Sequence, residues 1–165
     1  DDLGERMAAA LAEGRPMLEE AAPELDAFFD LEPVRCGFAV LDRDHPGSKF
    51  ILSVRSERDW IESRIRHVER NLALRARGEP HGNFVEIDVD AWSAERAAHH
   101  DAVLSHFAGR PDDLLVIDVC AGQGWERLAP FLGWERLPER AFPWENRSTS
   151  PGATSVASDA TSEQR

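Results

Sequence analysis

Two near-continuous apolar runs set the architecture of this chain: KFILSV at residues 49–54 and LLVIDV at 114–119. Both have strand length, and neither alternates apolar with polar residues. Runs of that kind suit strands covered on both faces, as in a parallel sheet. Parallel neighbours need a long crossover, and residues 55–113 supply one with two helical patterns. The order strand, helix, helix, strand, helix predicts an α/β fold with a parallel sheet flanked by helices in three layers. A chain of 165 residues suits one such domain. Two or three visible strands are few for this sheet, so strands are expected to be missing.

The remaining elements follow from periodicity and punctuation. Residues 3–13 are Ala-rich and predicted helical, with Gly14 as the stop. Residues 16–22 form a second short helical stretch. Ala27–Asp30 reads as a short strand ending before Pro33, and 35–43 as a helix closed by the turn His45-Pro46-Gly47. From Glu57 to Arg77, Ile61, Ile65, Val68 and Leu72 form one apolar stripe, and Gly78 ends the helix. Residues 79–92 read as a loop with an extended piece at Phe84–Ile87. A further helix covers 93–108, with Ser93 as N-cap and Ala97, Val103, Leu104 and Phe107 inward. The last helix, 125–132, points Trp125, Leu128, Phe131 and Leu132 inward. Residues 148–165 are Ser, Thr, Ala, Gly and acids, which predicts a disordered tail.

Charge narrows the function classes. The net charge of −12 argues against non-specific nucleic-acid binding, which rests on basic surface. Residues 55–77 nevertheless hold seven Arg against four acids, a locally basic segment that suits an anion site. Two cysteines, Cys36 and Cys120, provide neither a disulfide framework nor zinc spacing, and predict reduced thiols in a cytoplasmic protein without metal. No run approaches a membrane span, and no signal peptide is visible. The first residue is Asp, not Met, which points to lost upstream sequence.

Within the basic segment, Arg55 directly follows the first strand, where open parallel sheets bind ligands. The N–H groups of the following helix favour an anion there. Ser63 lies eight residues on. An Arg fork and a hydroxyl at this spacing can clamp one phosphate. The alternative is an Arg paired with a nearby acid and a Ser on a solvated face.

The stretch HPGSKFILSVRSERDWIESRIRH resembles the segment of PAPS-dependent sulfotransferases that binds the 3′-phosphate of 3′-phosphoadenosine 5′-phosphosulfate (PAPS). Pro46, Gly47, Lys49, Arg55, Trp60 and Ser63 match its Pro-Gly-x-Lys turn, strand-end Arg, and helix Trp and Ser. HHDAVLSHFAGRPDDLLVIDVCAGQGWERLAPFLGW and the closing FPWENR (142–147) are similar to later motifs of one subfamily. The resemblance spans residues 26–147 and assigns 1–147 to a sulfotransferase-like domain of the P-loop superfamily. It implies Arg55, Ser63 and Trp60 as nucleotide-binding residues and PAPS as co-substrate. It also implies a small-molecule or carbohydrate acceptor bearing a hydroxyl or amine, with no nucleic-acid or membrane partner; homodimerisation stays open. The family places a base near the end of the strand before the Arg strand, and Asp30 and Glu32 occupy that neighbourhood. His67 lies one helical turn after Ser63, while His99-His100 reads as surface and packing. Trp125, like Trp60, is a candidate pocket residue.

No Gly-, Ser/Thr- and Lys-containing turn for the 5′-phosphosulfate is visible, so the first strand and P-loop are expected to be lacking. A non-catalytic remnant or partner-binding α/β module is therefore the alternative. Asp118, Gly122 and Gly124 also resemble the first motif of S-adenosylmethionine-dependent methyltransferases, a weaker reading because too little sequence follows. The bland reading of the same turn is a tight strand–helix connection.

Overall fold

The computed structural model describes residues 3–20 and 25–143. The expected tail at 148–165, the end of the second helical stretch at 21–22 and the last residues of FPWENR lie outside them. The fold is α/β. Helix α1 (Leu3–Ala12) leads through a 3-10 turn (Met17–Glu20) to α2 (Glu32–Cys36) and α3 (Phe38–Asp44). Strand β1 (Phe50–Ser53) is followed by α4 (Glu57–Ala76) and α5 (Val89–His106), then β2 (Leu114–Ile117) and α6 (Trp125–Phe131).

β1 and β2 pair in parallel, with Phe50 opposite Leu114 and Ser53 opposite Ile117. The ladder extends at both ends, through Phe50 N–H to Asp113 O (2.8 Å) and Val54 N–H to Ile117 O (2.9 Å). Lys49 ties the entry of β1 to the Asp112 carbonyl. Among the described residues the sheet has two strands. Coverage on both faces holds for β2 but not for β1, where Ile51 is half exposed.

Two apolar clusters share Phe50. One gathers Met7, Met17 and Leu41 between α1, the 3-10 turn and α3; the other gathers Leu52, Val103 and Phe107 between the sheet and α5. The second cluster places α5 beside the sheet.

Several local expectations are corrected. Ala27–Asp30 forms no strand; it is irregular, and Asp30 takes φ 55°. The single helix at 35–43 is two, broken at Gly37. A Cβ there would stand 2.7 Å from the Pro33 carbonyl oxygen and 2.6 Å from Met17 Cε, so only Gly fits. Phe84–Ile87 is loop. α5 begins at Val89 because Asp88, not Ser93, caps it, accepting from Ala91 N–H at 2.9 Å. On α5 the inward row is Trp92, Val103 and Phe107, while Ala97 and Leu104 are exposed. On α4 the buried positions are Val68 and Asn71, and Leu72 is exposed. Asn71 is tolerated inside because its Nδ2 donates to Phe84 O at 2.9 Å, holding the 79–88 loop onto α4.

Candidate anion-binding cavity

A cavity of about 610 Å³ opens at the carboxyl ends of both strands, where parallel sheets place ligands. Ser53, Val54 and Arg55 line it from the end of β1, and Val119 and Cys120 from the end of β2. α4 contributes Trp60 and Arg64, α5 contributes Glu95, Arg96, His99 and His100, and the α2 region contributes Asp30, Glu32 and Arg35. The sheet thus brings Arg55, Trp60, Asp30 and Glu32 together from distant parts of the sequence. Ser63 is half-buried on α4 but does not line the cavity; Trp60 and Arg64 flank it and do.

Arg55 has its Nε buried without a hydrogen-bond partner among the described residues. Its backbone carbonyl accepts from Arg96 Nη2 at 2.7 Å, which joins α5 to the exit of β1. The adjoining helix start is already engaged. Ser56 Oγ accepts from Asp59 N–H at 3.2 Å, and Glu57 and Asp59 occupy the first turn. The helix dipole at Arg55 is therefore largely offset by the chain's own groups, and the cationic side chains dominate the local field.

Those side chains divide into two sets. Arg35 donates through Nε to Glu32 (2.8 Å) and through Nη2 to Glu95 (2.8 Å). The Arg35 hydrogen bond, partly opposed by burial, holds the Glu32 carboxyl at about 2. Cys36 also donates to Glu32, at 3.2 Å, and that contact together with burial raises the thiol's pKa. Arg55, Arg64 and Arg96, in contrast, have no carboxylate within ion-pair distance among the described residues. Burial pulls the Arg64 pKa down from its ordinary value, with nearby Arg35 adding to the effect and Glu95 opposing it.

His99 and His100 are both half-buried on the α5 wall. Burial is the largest cause lowering both pKa values, aided by Arg35 at His99 and Arg96 at His100. Both rings are neutral at pH 7 and able to accept a proton. Asp30 sits at the rim in the left-handed backbone region, a conformation that Asp tolerates and that recurs at functional sites.

Other expected residues lie elsewhere. Trp125 packs on Phe142 and donates Nε1 to Arg140 O at 2.9 Å, away from the cavity. His67 meets Phe84 edge to face at 5.6 Å. The Gly122–Gly124 turn is internally satisfied. Asp118 Oδ1 accepts from Ala121 N–H (2.9 Å) and Gln123 Oε1 from Asp118 N–H (2.8 Å). A Cβ on Gly124 would stand 3.0 Å from the Phe142 ring, so this glycine permits close packing. The sequence singles out neither Arg35, Glu95 nor Arg96, includes Arg64 only within the basic segment 55–77, and places His99-His100 as surface and packing. Their signal was present as the i, i+3, i+4 spacing of Arg96, His99 and His100, which puts all three on one helix face.

Among the described residues, no three His, Cys, Asp or Glu side chains gather as a metal site, and no helix is long and apolar enough to cross a membrane. The family described as sulfotransferase domain matches residues 81–150. No curated protein and no solved structure matches the chain.

Proposed function

We propose that this chain, sulfotransferase-like in sequence over residues 81–150, moves a sulfuryl group from PAPS to a hydroxyl or amine acceptor. On this reading its two strands belong to the three-layer parallel sheet of the P-loop superfamily. One observation carries it: Arg55, at the end of β1 in the strand-end cavity, has a buried Nε with no partner among the described residues. An anion there satisfies that donor with a charge-assisted hydrogen bond. A volume near 610 Å³ also suits a nucleotide-sized ligand. Arg55 holds the 3′-phosphate in this reading, with Trp60 in the adjoining wall; Ser63, the second donor that the resemblance implies, lies off the cavity lining.

The reaction breaks the bond from sulfur to the phosphate oxygen and forms one from sulfur to the acceptor oxygen or nitrogen. PAPS supplies the sulfuryl group, and the acceptor's proton passes to a base on the cavity wall. Of the two carboxylates expected there, Glu32 is a poor base because Arg35 stabilises its charged form. Asp30, at the rim, has no such partner among the described residues and is the better of the pair. His99 and His100 are further proton acceptors, neutral at pH 7.

The test is calorimetric titration of the full chain with adenosine 3′,5′-bisphosphate. We expect binding, and Arg55→Ala should weaken it by about 1.5–3 kcal/mol, the worth of a charge-assisted contact. Equal affinity in the two proteins would overturn the Arg55 assignment. Transfer of labelled sulfate from PAPS to a mixture of hydroxyl and amine acceptors then separates an enzyme from a non-catalytic module that keeps only the nucleotide pocket.

A further inference from the structure

Arg64 and Arg96 meet at one aromatic ring. The Arg64 Cζ lies 4.8 Å from the centre of the Trp60 ring, 4.4 Å from Phe84 and 4.8 Å from Trp92. Phe84 and Trp92 stack on each other at 5.2 Å, so the Arg64 guanidinium faces three rings drawn from α4, the 79–88 loop and α5. The Arg96 Cζ lies 5.6 Å from the same Trp60 ring. Flat aromatic surfaces hold a guanidinium in place without supplying a hydrogen-bond acceptor.

Glu95, whose charge acts on Arg64 across the cavity wall, is hydrogen-bonded to Arg35 and makes no ion pair with Arg64. Two like charges close to one indole repel, and the Arg64 Nε–H is buried without an acceptor among the described residues. An unmade donor of this kind is unfavourable until something accepts from it. The chain carries 31 acids against 19 bases, and other arginines of α4 find carboxylates within it, as Arg58 and Arg66 do with Glu62. Among the described residues neither Arg64 nor Arg96 pairs with a carboxylate, and Arg96 reaches only the Arg55 carbonyl, so this cavity wall presents two cations to whatever enters it.

We propose that Arg64 and Arg96, held on Trp60, form an oxyanion subsite for a carboxylate, sulfate or phosphate group that a ligand brings into the cavity, in addition to the anion assigned to Arg55. The cavity then holds two anionic groups. Only the identity of the first rests on the sulfotransferase reading; the subsite follows from the side chains alone.

The probes are inorganic sulfate, adenosine 3′-monophosphate and adenosine 3′,5′-bisphosphate, each titrated into the full chain by calorimetry. Arg55→Ala should keep a sulfate-binding event. Arg64→Gln and Arg96→Gln should each weaken that event tenfold or more. Arg64→Lys should fall between them and the parent, because it keeps the charge and loses the fork. Sulfate affinity within twofold of the parent in both Gln variants, with unchanged melting temperature, overturns the subsite, as does a parent chain that binds no sulfate. Should Arg64→Gln fail to fold, Arg96→Gln, outside the three-ring cage, carries the same comparison.

The nucleotides identify the source of the anion. If Arg64→Gln weakens the bisphosphate but not the monophosphate, the subsite takes the 5′ end of the nucleotide. If it weakens sulfate and neither nucleotide, the subsite takes an anionic acceptor. A parent chain that binds neither nucleotide but retains Arg64-dependent sulfate binding overturns the PAPS reading and keeps the subsite.

Discussion

Arg110 and Arg64 both rest against aromatic rings, yet their surroundings differ in one respect. The Arg110 Cζ lies 4.7 Å from the Phe107 ring, and its Nη1 and Nη2 donate to Asp42 at 3.0 and 2.7 Å. Asp42 also meets His106 Nε2 at 2.7 Å. The network ties α3 to the end of α5 and leaves the guanidinium with a carboxylate of its own. Arg64 has the rings and, among the described residues, lacks the carboxylate. The same residue type on the same kind of surface is a structural clamp in one place and an open cation in the other. What separates them is whether a short acid lies within reach, not the arginine or its aromatic bed.

This contrast breaks if binding and stability respond together to substitutions in the two regions. The largest effect is expected at the open site. Arg55→Ala should cost about 1.5–3 kcal/mol of affinity for adenosine 3′,5′-bisphosphate and leave the melting temperature within a degree or two of the parent. Next, Asp42→Ala should lower stability by about 1–2 kcal/mol, a charge-assisted network discounted for its partly exposed partners. Denaturant unfolding would measure that loss, and nucleotide affinity should be unchanged. A drop in affinity on Asp42→Ala would show that the two regions are coupled.

Gly37→Ala should destabilise by roughly 1–2 kcal/mol in the same assay, because the new methyl meets the Pro33 carbonyl and Met17. A neutral result would show that α2 and α3 can shift apart freely.

pH gives the smallest and most distributed effect. His99, His100, Asp42 and Glu32 all have folded-state pKa values below their ordinary ones. Each stabilises fully above its unfolded pKa and loses that contribution as pH falls through its folded value. Stability should therefore decline as pH drops from about 6.5, the ordinary His value, and again between the Glu value of 4.5 and about 2. Thermal melts across that range would check it. His99→Gln should remove part of the upper step, and a step that survives in the His99→Gln, His100→Gln double variant would assign it elsewhere.

Legibility followed the range of the interactions. The two strands, the long helix after Arg55 and the turn glycines could be read because they depend on neighbours a few residues away. Ser56 and Asp88 cap their helices with side-chain oxygens that accept from the N–H groups three residues on, also a local matter, yet Asp88 is not legible as a cap because Val89 to Trp92 read as loop. The inward faces of α4 and α5 were harder. The periodicity of Ile61, Ile65, Val68 and Leu72 marked a stripe, but the covered face turned toward Val68 and Asn71, because Asn71 found a carbonyl in the 79–88 loop.

The sequence by itself determined an α/β chain, a parallel pairing of its two apolar runs, and an arginine at the end of the first of them. Local apolar patterning and the crossover length between the runs require that much. Only the tertiary structure decided which charges remain open. Arg35, Arg64 and Arg96 are indistinguishable as letters in an acidic chain. Packing α5 beside β1 puts Glu95 on Arg35, and Arg64 and Arg96 on Trp60. Pairing between elements, as of Arg35 with Glu95 60 positions on, is decided over a few ångströms, a distance that composition and spacing do not encode.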